Sequence, residues 1–479
     1  MFSVFPAERS LQIPVSSPEH YSISVAHFST TFLPQDAKDG LFLDFFICRD
    51  YNFHMSAYQV QHLSPHGIIE TDVPASKSIL NRALILSAFG KGEIFLSCGD
   101  FAEDTQAMLS CFTQLGIGWT REKNGLRIVG CGGNVPNNRA ELDVCSAGTA
   151  ARFLTAALAF LGGEYTLHSS LQMQKRPMEI LTVLERSGVQ IEYLGEPGHF
   201  PFRMISHGIT AEELSVDTDL STQYASGILL AAAVSRPIRL HLTGTRTDGS
   251  YITMTLRLLE QFGAQWSRTE NTVCVTPSER APESLEIEAD LSAACYFYAM
   301  SLLLSACVRV RRVHSDTMQG DRKFLDLLKS RGVRFTDTPE GLLADGSRVS
   351  AYRGFTENMR DFSDQALTVA ALAPFAATPT QITGIGHIRR QECDRIHAIV
   401  KNLNAIGVIA TEQEDDVTIL PSAVHGGTIR TFGDHRVAMA FALIGLKAGN
   451  IVIDDPLCCR KTFINYFDIL DKLTKTGSA

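Results

Sequence analysis

Apolar positions along the chain form two kinds of helical stretch that alternate and recur. The first kind is amphipathic and ends at a glycine followed by a run of strand character: TQAMLSCFTQLGIGW, MEILTVLERSGVQIEYL, ITMTLRLLEQFGAQWS, RKFLDLLKSRGVRFT and RIHAIVKNLNAIGVIA. Their glycines are Gly116, Gly188, Gly263, Gly332 and Gly407, spaced by 72, 75, 69 and 75 residues. Glycine there suits a left-handed cap from which the chain turns into a strand. A sixth such helix, NYFDILDKL, lies at the C-terminal end. The second kind is small-residue and apolar all round: SILNRALILSAFG, GTAARFLTAALAFLGG, STQYASGILLAAAV, LSAACYFYAMSLLLSA, SDQALTVAALAPFAA and DHRVAMAFALIGLKAG. Helices of that composition are buried on most sides, and most of these begin at Ser, Thr or Asp, the N-cap residues. So regular a period marks a repeated supersecondary unit. The pattern predicts an α/β fold of six βαβ-type units, three per domain, with the small-residue helices inside and sheets around them.

That repeat carries a chemical expectation. Six helix starts facing one cleft present free N–H groups and positive dipole ends, each favouring an anion by about 0.3–1 kcal/mol when exposed. Basic residues sit at the same places: Lys77 and Arg82 in PASKSILNR, Arg152 in AGTAAR, Arg176 in KRPMEI, Arg395 in QECDR, Arg436 in GDHR and Lys461 in CCRKTF. Arginine grips phosphate or carboxylate through two parallel bonds, and lysine acts as a point charge. One such residue is an ordinary surface cation; several at equivalent repeat positions predict a cage for a multiply charged anion.

Bulk properties narrow the classes. The 479 residues suffice for two domains, and 45% hydrophobic with 20% charged content describes a globular chain. A formal charge of −9 argues against a nucleic-acid binder held by a global positive field. No apolar run is long enough to cross a bilayer. The 11 cysteines include no C-x-x-C pair, and reduced thiols in a cytoplasmic protein are expected. The histidines show no metal-site spacing. Residues 1–54 show little periodicity and are expected to be a flexible extension, with a second methionine, Met55, before the first motif.

The motifs PASKSILNRALILSA, AGTAARFL, KRPMEIL, LSTQYASGILL, TMQGDRKF, QECDRI, FGDHRVAMAFAL and KTFINYF occur in the order found in 3-phosphoshikimate 1-carboxyvinyltransferases (EPSP synthases), and from about Met55 onward the chain resembles that enolpyruvyl transferase family. The resemblance implies a two-domain inverted α/β barrel-like fold (an α/β prism). One domain would be 55–74 plus 288–479 and the other 75–287, with the active site in the cleft between them. It also implies a cytoplasmic monomer of the shikimate pathway to chorismate and aromatic amino acids. That enzyme acts on small molecules, not on nucleic acid or membrane; its reaction involves no redox change and so requires no nicotinamide or flavin, and no cofactor or metal is expected. For shikimate 3-phosphate the matching residues are Lys77, Ser78, Arg82, Ser221, Thr222, Gln223, Tyr251, Asp364, His387 and Gln391. For phosphoenolpyruvate they are Lys77, Gly148, Arg176, Gln223, Arg395, Arg436 and Lys461. Asp364, Glu392 and Lys77 match the catalytic positions. Gly148 leaves room for a phosphoenolpyruvate mimic such as glyphosate.

Departures from the family pattern concern mainly the shikimate end. Ala75 stands for a common Gly, Ser146 for Asn and Asp248 for Ser, with Ser250 expected to substitute by a shift in the loop. Gln391 stands for Lys, with Arg389 and Arg390 as compensating cations, and His387 for Asn. Alternatives are a paralogue acting on another alcohol and a non-catalytic anion-binding homologue. The transferase acting on UDP-N-acetylglucosamine is disfavoured because Ser78 follows Lys77. Asp364 and Asp434 have a plainer reading as helix caps, and His435 is expected to support Asp434 or Arg436. Met173, Met178 and Met318, with Tyr224, Tyr296 and Tyr298, are expected to pack. Hinges are expected near Val73 to Pro74 and Glu286 to Asp290.

Overall fold

All five glycines that end the amphipathic helices take positive φ: Gly116 at 73°, Gly188 at 91°, Gly263 at 80°, Gly332 at 98° and Gly407 at 87°. Glycine alone enters this region without a Cβ clash, so the chain turns there from helix into strand. The helices that it ends are Glu103–Gln114, Ile180–Arg186, Ser250–Gln261, Arg322–Ser330 and Arg395–Ala405. A sixth, Tyr466–Thr476, seats Tyr466 against Tyr296 and Phe297. The structure is a computed structural model and describes residues 57–476; the extension expected over 1–54 lies outside the described residues.

The small-residue stretches form the inner helices Lys77–Phe89, Gly148–Leu161, Thr222–Ala233, Leu291–Leu303, Ala366–Leu372 and His435–Ala448. Small side chains let them approach closely from every side; in Leu291–Leu303 only Ser292 is not buried. The first three pack on one another, as do the last three. Two cores result, one drawing its buried apolar residues from Ala75 to Ile287 and the other from Val60 to Val73 and from Ala289 to Leu470. Met173 and Met178 are buried in the first, and Met318 packs against it. The fifth inner helix is shorter than its composition predicts. Residues Arg360–Gln365 form a 3₁₀ stretch in which Phe362 leaves helical geometry, and Pro374 interrupts the far end.

Each inner helix leads into the second strand of a parallel pair. Four pairs are local: Arg139–Asp143 with Gly163–His168, Glu213–Asp217 with Ile238–Thr243, Thr356–Asn358 with Thr380–Thr383, and Gly427–Ile429 with Ile451–Ile453. The other two are closed by distant chain: Ser284–Glu286 pairs with Lys91–Ser97, and Ile68–Thr71 with Cys307–Arg311. In five sheets an antiparallel hairpin after the outer helix adds two more strands, so the unit is fuller than the βαβ expected from sequence. The sixth sheet has three strands and takes Tyr58–Val60 instead.

The chain therefore passes between the cores twice, and the two passes pair. Ala75 bridges Ala289, Ser76 N donates to Glu288 O at 2.8 Å, and Asp290 N donates to Pro74 O at 2.8 Å. Among the described residues no helix is long and apolar enough to cross a membrane.

Candidate active site

Four inner helices follow the first strand of their own parallel pair, two follow a strand that belongs to another sheet, and the six helix starts converge. Lys77 and Ser78, Thr149, Ser221 and Thr222, Ser292, Asp364, and His435 with Arg436 line one cavity of about 460 Å³. Three starts are capped by their own side chains: Ser221 Oγ accepts from Gln223 N, Asp290 from Ala293 N and Asp434 from Arg436 N. Ser76 makes no such bond; its hydroxyl donates to Gln319 Oε1 at 2.9 Å, linking the two cores. Asp364 is not a cap either, since Gln365 holds that position and the Asp364 carboxylate is bound elsewhere.

Arg395 is the centre of the charged network. It is 1% exposed, and its Nη1 donates to Asp364 Oδ1 at 3.0 Å, its Nη2 to Glu392 Oε2 at 3.0 Å and its Nε to Asp434 Oδ2 at 2.8 Å. Asp364 also accepts from Arg436 Nη2 and from the Tyr251 hydroxyl, both at 2.9 Å. Glu392 Oε1 accepts from Lys461 Nζ at 3.1 Å and lies 3.6 Å from Arg176 Nη1. Three carboxylates thus share one guanidinium, and two of them, Asp364 and Glu392, meet further cations on the other side.

The ionisation states follow from those contacts. Burial pushes the Glu392 carboxyl up, but Lys461, Arg176 and Arg395 outweigh it and hold it well below the usual range. Burial opposes ionisation of Asp364 as well, and Arg436, Arg395 and the Tyr251 hydrogen bond reverse it. Burial pushes Tyr251 well up, with Asp364 adding to it, so the phenol keeps its proton and donates. Asp321, at the back of the cavity, is pushed up to about 6 by burial and by the Asp364 charge.

Fourteen of the expected site residues line the cavity: Lys77, Ser78, Arg82, Arg176, Ser221, Thr222, Gln223, Tyr251, Asp364, His387, Gln391, Glu392, Arg395 and Arg436. Gly148 and Lys461 do not, but each touches a residue that does. A Cβ at Gly148 would lie 3.0 Å from Arg176 Nη1 and 2.9 Å from Arg152 Nη1, so the glycine lets the Arg176 guanidinium lie against the helix start. Arg82 is turned inward. It is 1% exposed, bonded to Thr255 Oγ1, Ser78 O and Ser226 Oγ, stacked on Phe153, and lowered to about 10 by burial. Lys77 Nζ is engaged by Asp104 Oδ2 at 3.0 Å.

These contacts bear on several expectations. Of the two cations expected to compensate for Gln391, both line the cavity, and the Arg389 guanidinium is paired with Asp394 and Glu412. Asp248 is bonded to Arg268 and does not line the cavity, whereas Ser250 does. The His435 Nδ1 is buried without a hydrogen bond and lies 3.7 Å from Asp434 Oδ1. Tyr296 packs but also accepts from Arg436 Nη1 at 3.4 Å. Arg246, Arg360 and Asp321 line the cavity and were not singled out from sequence, because none sits in the first turn of an inner helix. Arg176 Nε and Arg152 Nε are buried with no hydrogen-bond partner among the described residues, as is Gln223 Oε1. Desolvated guanidinium donors of that kind favour an incoming anion.

The chain matches the EPSP synthase (3-phosphoshikimate 1-carboxyvinyltransferase) family over residues 66–470. The 3-phosphoshikimate 1-carboxyvinyltransferase of Nostoc punctiforme is 35% identical over 402 residues, which cover 83% of this chain and 94% of that protein. The protein of the same name from Cellvibrio japonicus is 35% identical over 421 residues, 86% of this chain and 98% of its own. Among solved structures, an EPSP synthase from Acinetobacter baumannii aligns with a TM-score of 0.71 at 23% identity, covering 88% of this chain and 98% of that one. The enolpyruvyl transferase NikO from Streptomyces tendae aligns at 0.65 and 17% identity, covering 87% and 96%. These likenesses show the two-domain inverted α/β fold. With residues 66–470 matched and relatives 35% identical along nearly their whole length, the chain belongs to the EPSP synthase (3-phosphoshikimate 1-carboxyvinyltransferase) family.

Proposed function

We propose that the chain transfers the enolpyruvyl group of phosphoenolpyruvate to the 5-hydroxyl of shikimate 3-phosphate and releases inorganic phosphate, in the shikimate pathway. The observation that carries this reading is the pair of carboxylates on Arg395, with Asp364 flanked by Arg436 and Tyr251 and Glu392 by Lys461 and Arg176. The reading takes the enzyme as a cytoplasmic monomer whose lobes are 55–74 plus 288–479 and 75–287.

Asp364, ionised, takes the proton of the 5-hydroxyl as that oxygen bonds to C2 of phosphoenolpyruvate. C3 gains a proton and becomes a methyl group in the tetrahedral adduct. The adduct then loses a C3 proton and expels phosphate through its C2–O bond, which leaves the enol ether. Glu392 with Lys77 and Lys461 moves the C3 proton. Lys461 and Arg176 neutralise Glu392 before substrate enters; a phosphoenolpyruvate anion that draws those cations to itself raises the Glu392 proton affinity. The same residue thereby becomes able to give a proton and later to take one back. Arg395 and Arg436 stabilise the substrate carboxylate and the charge that develops as phosphate leaves. Enclosure holds both reactants in register and keeps water from the reacting carbon.

The deciding measurement is phosphate release with each substrate omitted in turn. Release that requires both compounds supports the transferase. Binding of both without release sinks it in favour of a non-catalytic homologue.

A further inference from the structure

The first inner helix starts without a side-chain cap of its own, and the group that engages its N-cap residue comes from the other core. Ser76 is 1% exposed and precedes Lys77, yet its hydroxyl caps nothing and donates instead to Gln319 Oε1 at 2.9 Å. Gln319 lies between strand Cys307–Arg311 and helix Arg322–Ser330, in chain that belongs to the second core; it is 6% exposed and lines the cavity. Its amide is filled at both ends. Oε1 also accepts from Leu291 N at 3.0 Å, at the start of the fourth inner helix. Nε2 donates to Ala289 O at 2.8 Å and to Glu288 Oε2 at 3.0 Å, on the second crossing between the cores. The next two residues are tied down as well. A Cβ at Gly320 would lie 2.2 Å from Ser250 Oγ, so glycine is what lets this segment approach the start of helix Ser250–Gln261. Asp321 accepts from Ser292 Oγ.

Lys77 is the residue that these bonds locate. Its ammonium is held within its own lobe by Asp104. Its backbone is held against the other lobe: Ser76 N donates to Glu288 O at 2.8 Å, Lys77 N lies 3.5 Å from Asp290 Oδ2, and the Ser76 side chain is on Gln319. We infer that Gln319 is a positioning residue of the reaction: by bonding Ser76 of one lobe and Leu291 and Ala289 of the other, it fixes where Lys77 stands in the cavity. An amide suits the place because it offers acceptor and donor together. A carboxylate there would set an oxygen against Ala289 O and the Glu288 carboxylate. A hydrocarbon would leave the Ser76 hydroxyl and the Leu291 N–H without their partner, a costly state for buried groups. Gln319 touches no reacting atom in this scheme; it acts through Lys77. Shikimate 3-phosphate as the ligand that reads the effect is taken from the proposed reaction, whereas the bonds of Gln319 stand without it.

The test is a double-variant cycle read by titration calorimetry of shikimate 3-phosphate against the full-length protein. Gln319→Met removes all the amide bonds at nearly constant length, and Ser76→Ala removes only the one that joins the lobes. Each is expected to weaken binding by roughly 3- to 10-fold, the scale of one hydrogen bond. Each is also expected to lower kcat for phosphate release by roughly 10- to 100-fold, as a small misplacement of a catalytic group does. In a Lys77→Gln background the same substitutions are expected to change binding by less than about 2-fold, because the group through which they act is gone. A role in stability alone would lower the melting temperature and leave the cycle additive. Equal losses with and without the Lys77 amine, or no loss in either background, overturn the positioning role. Ser76→Ala decides the question by itself if Gln319→Met does not fold. Failure of the reaction reads differently: a non-additive cycle in a wild type that binds the ligand but releases no phosphate leaves the positioning role standing and removes the transferase.

Discussion

Glu392 touches Lys461, Arg176 and Arg395 through its two carboxylate oxygens, so one residue neutralises most of the inner end of the cavity. Replacing it with Gln keeps the shape and removes the charge. Glu392→Gln is expected to lower kcat by about 10²–10⁴-fold, the range of a positioned acid–base group, without raising KM for phosphoenolpyruvate, because its cations are released to the substrate. Preserved kcat with a raised KM would reassign Glu392 to binding alone. The two histidines of the site give a pH test. Burial first, then Arg246 for His387 and Arg436 for His435, holds both rings neutral, His387 at about 4. An unfolded chain protonates a histidine near pH ~6.5, so in the window from about 6.5 down to 4 the unfolded state binds more protons. Their contribution to stability is therefore complete above pH ~6.5 and is lost as pH falls toward 4. Asp321, raised to about 6 by burial and Asp364, acts with the opposite sign in part of that window. The comparison that decides is wild type against the His387→Asn, His435→Gln double variant: melting temperatures from pH 7 to 4.5 should decline less in the variant. Parallel curves would show that these rings do not govern acid sensitivity.

The inner helices serve two purposes at once, and Asp434 shows how. It is fully buried, caps helix His435–Ala448 by accepting from Arg436 N, and pairs with Arg395 Nε. Asp434→Ala removes cap and counter-ion together, leaving a buried guanidinium short of one partner; the expected loss is about 3–5 kcal/mol. Asp434→Asn keeps an acceptor for the cap and should recover about 1 kcal/mol of that loss. Chemical denaturation measures both, and equal stabilities for the two variants would contradict the double role. The fifth inner helix marks a limit of composition as a guide. SDQALTVAALAPFAA reads as one helix, yet its first residues leave helical geometry while the Asp364 carboxylate lies between Arg395 and Arg436. An attraction between buried charges has overridden local propensity there.

At the scale of the whole molecule, two cores are joined by a paired double crossing at Ala75 and Ala289. Binding of both substrates is expected to reduce the radius of gyration in solution scattering, because anions neutralise cations that belong to opposite lobes. An unchanged radius with both ligands would count against closure. Much of this architecture is written locally. The five glycines, the amphipathic helices that they end and the all-apolar inner helices need only the period of the chain and the left-handed conformation that glycine permits. The eight ordered motifs named the residues that line the cavity for the same reason: each lies in the first turn of a helix or beside one. Other features depend on chain segments far apart in sequence. Ser284–Glu286 and Ile68–Thr71 complete sheets begun some two hundred residues away, and no local pattern announces such a partner. Arg82 turned inward and Arg389 taken by Asp394 and Glu412 are likewise results of folding. A sequence records that a side chain is charged and which helix carries it; which counter-charge it meets, and whether water reaches it, is set only when distant units pack together.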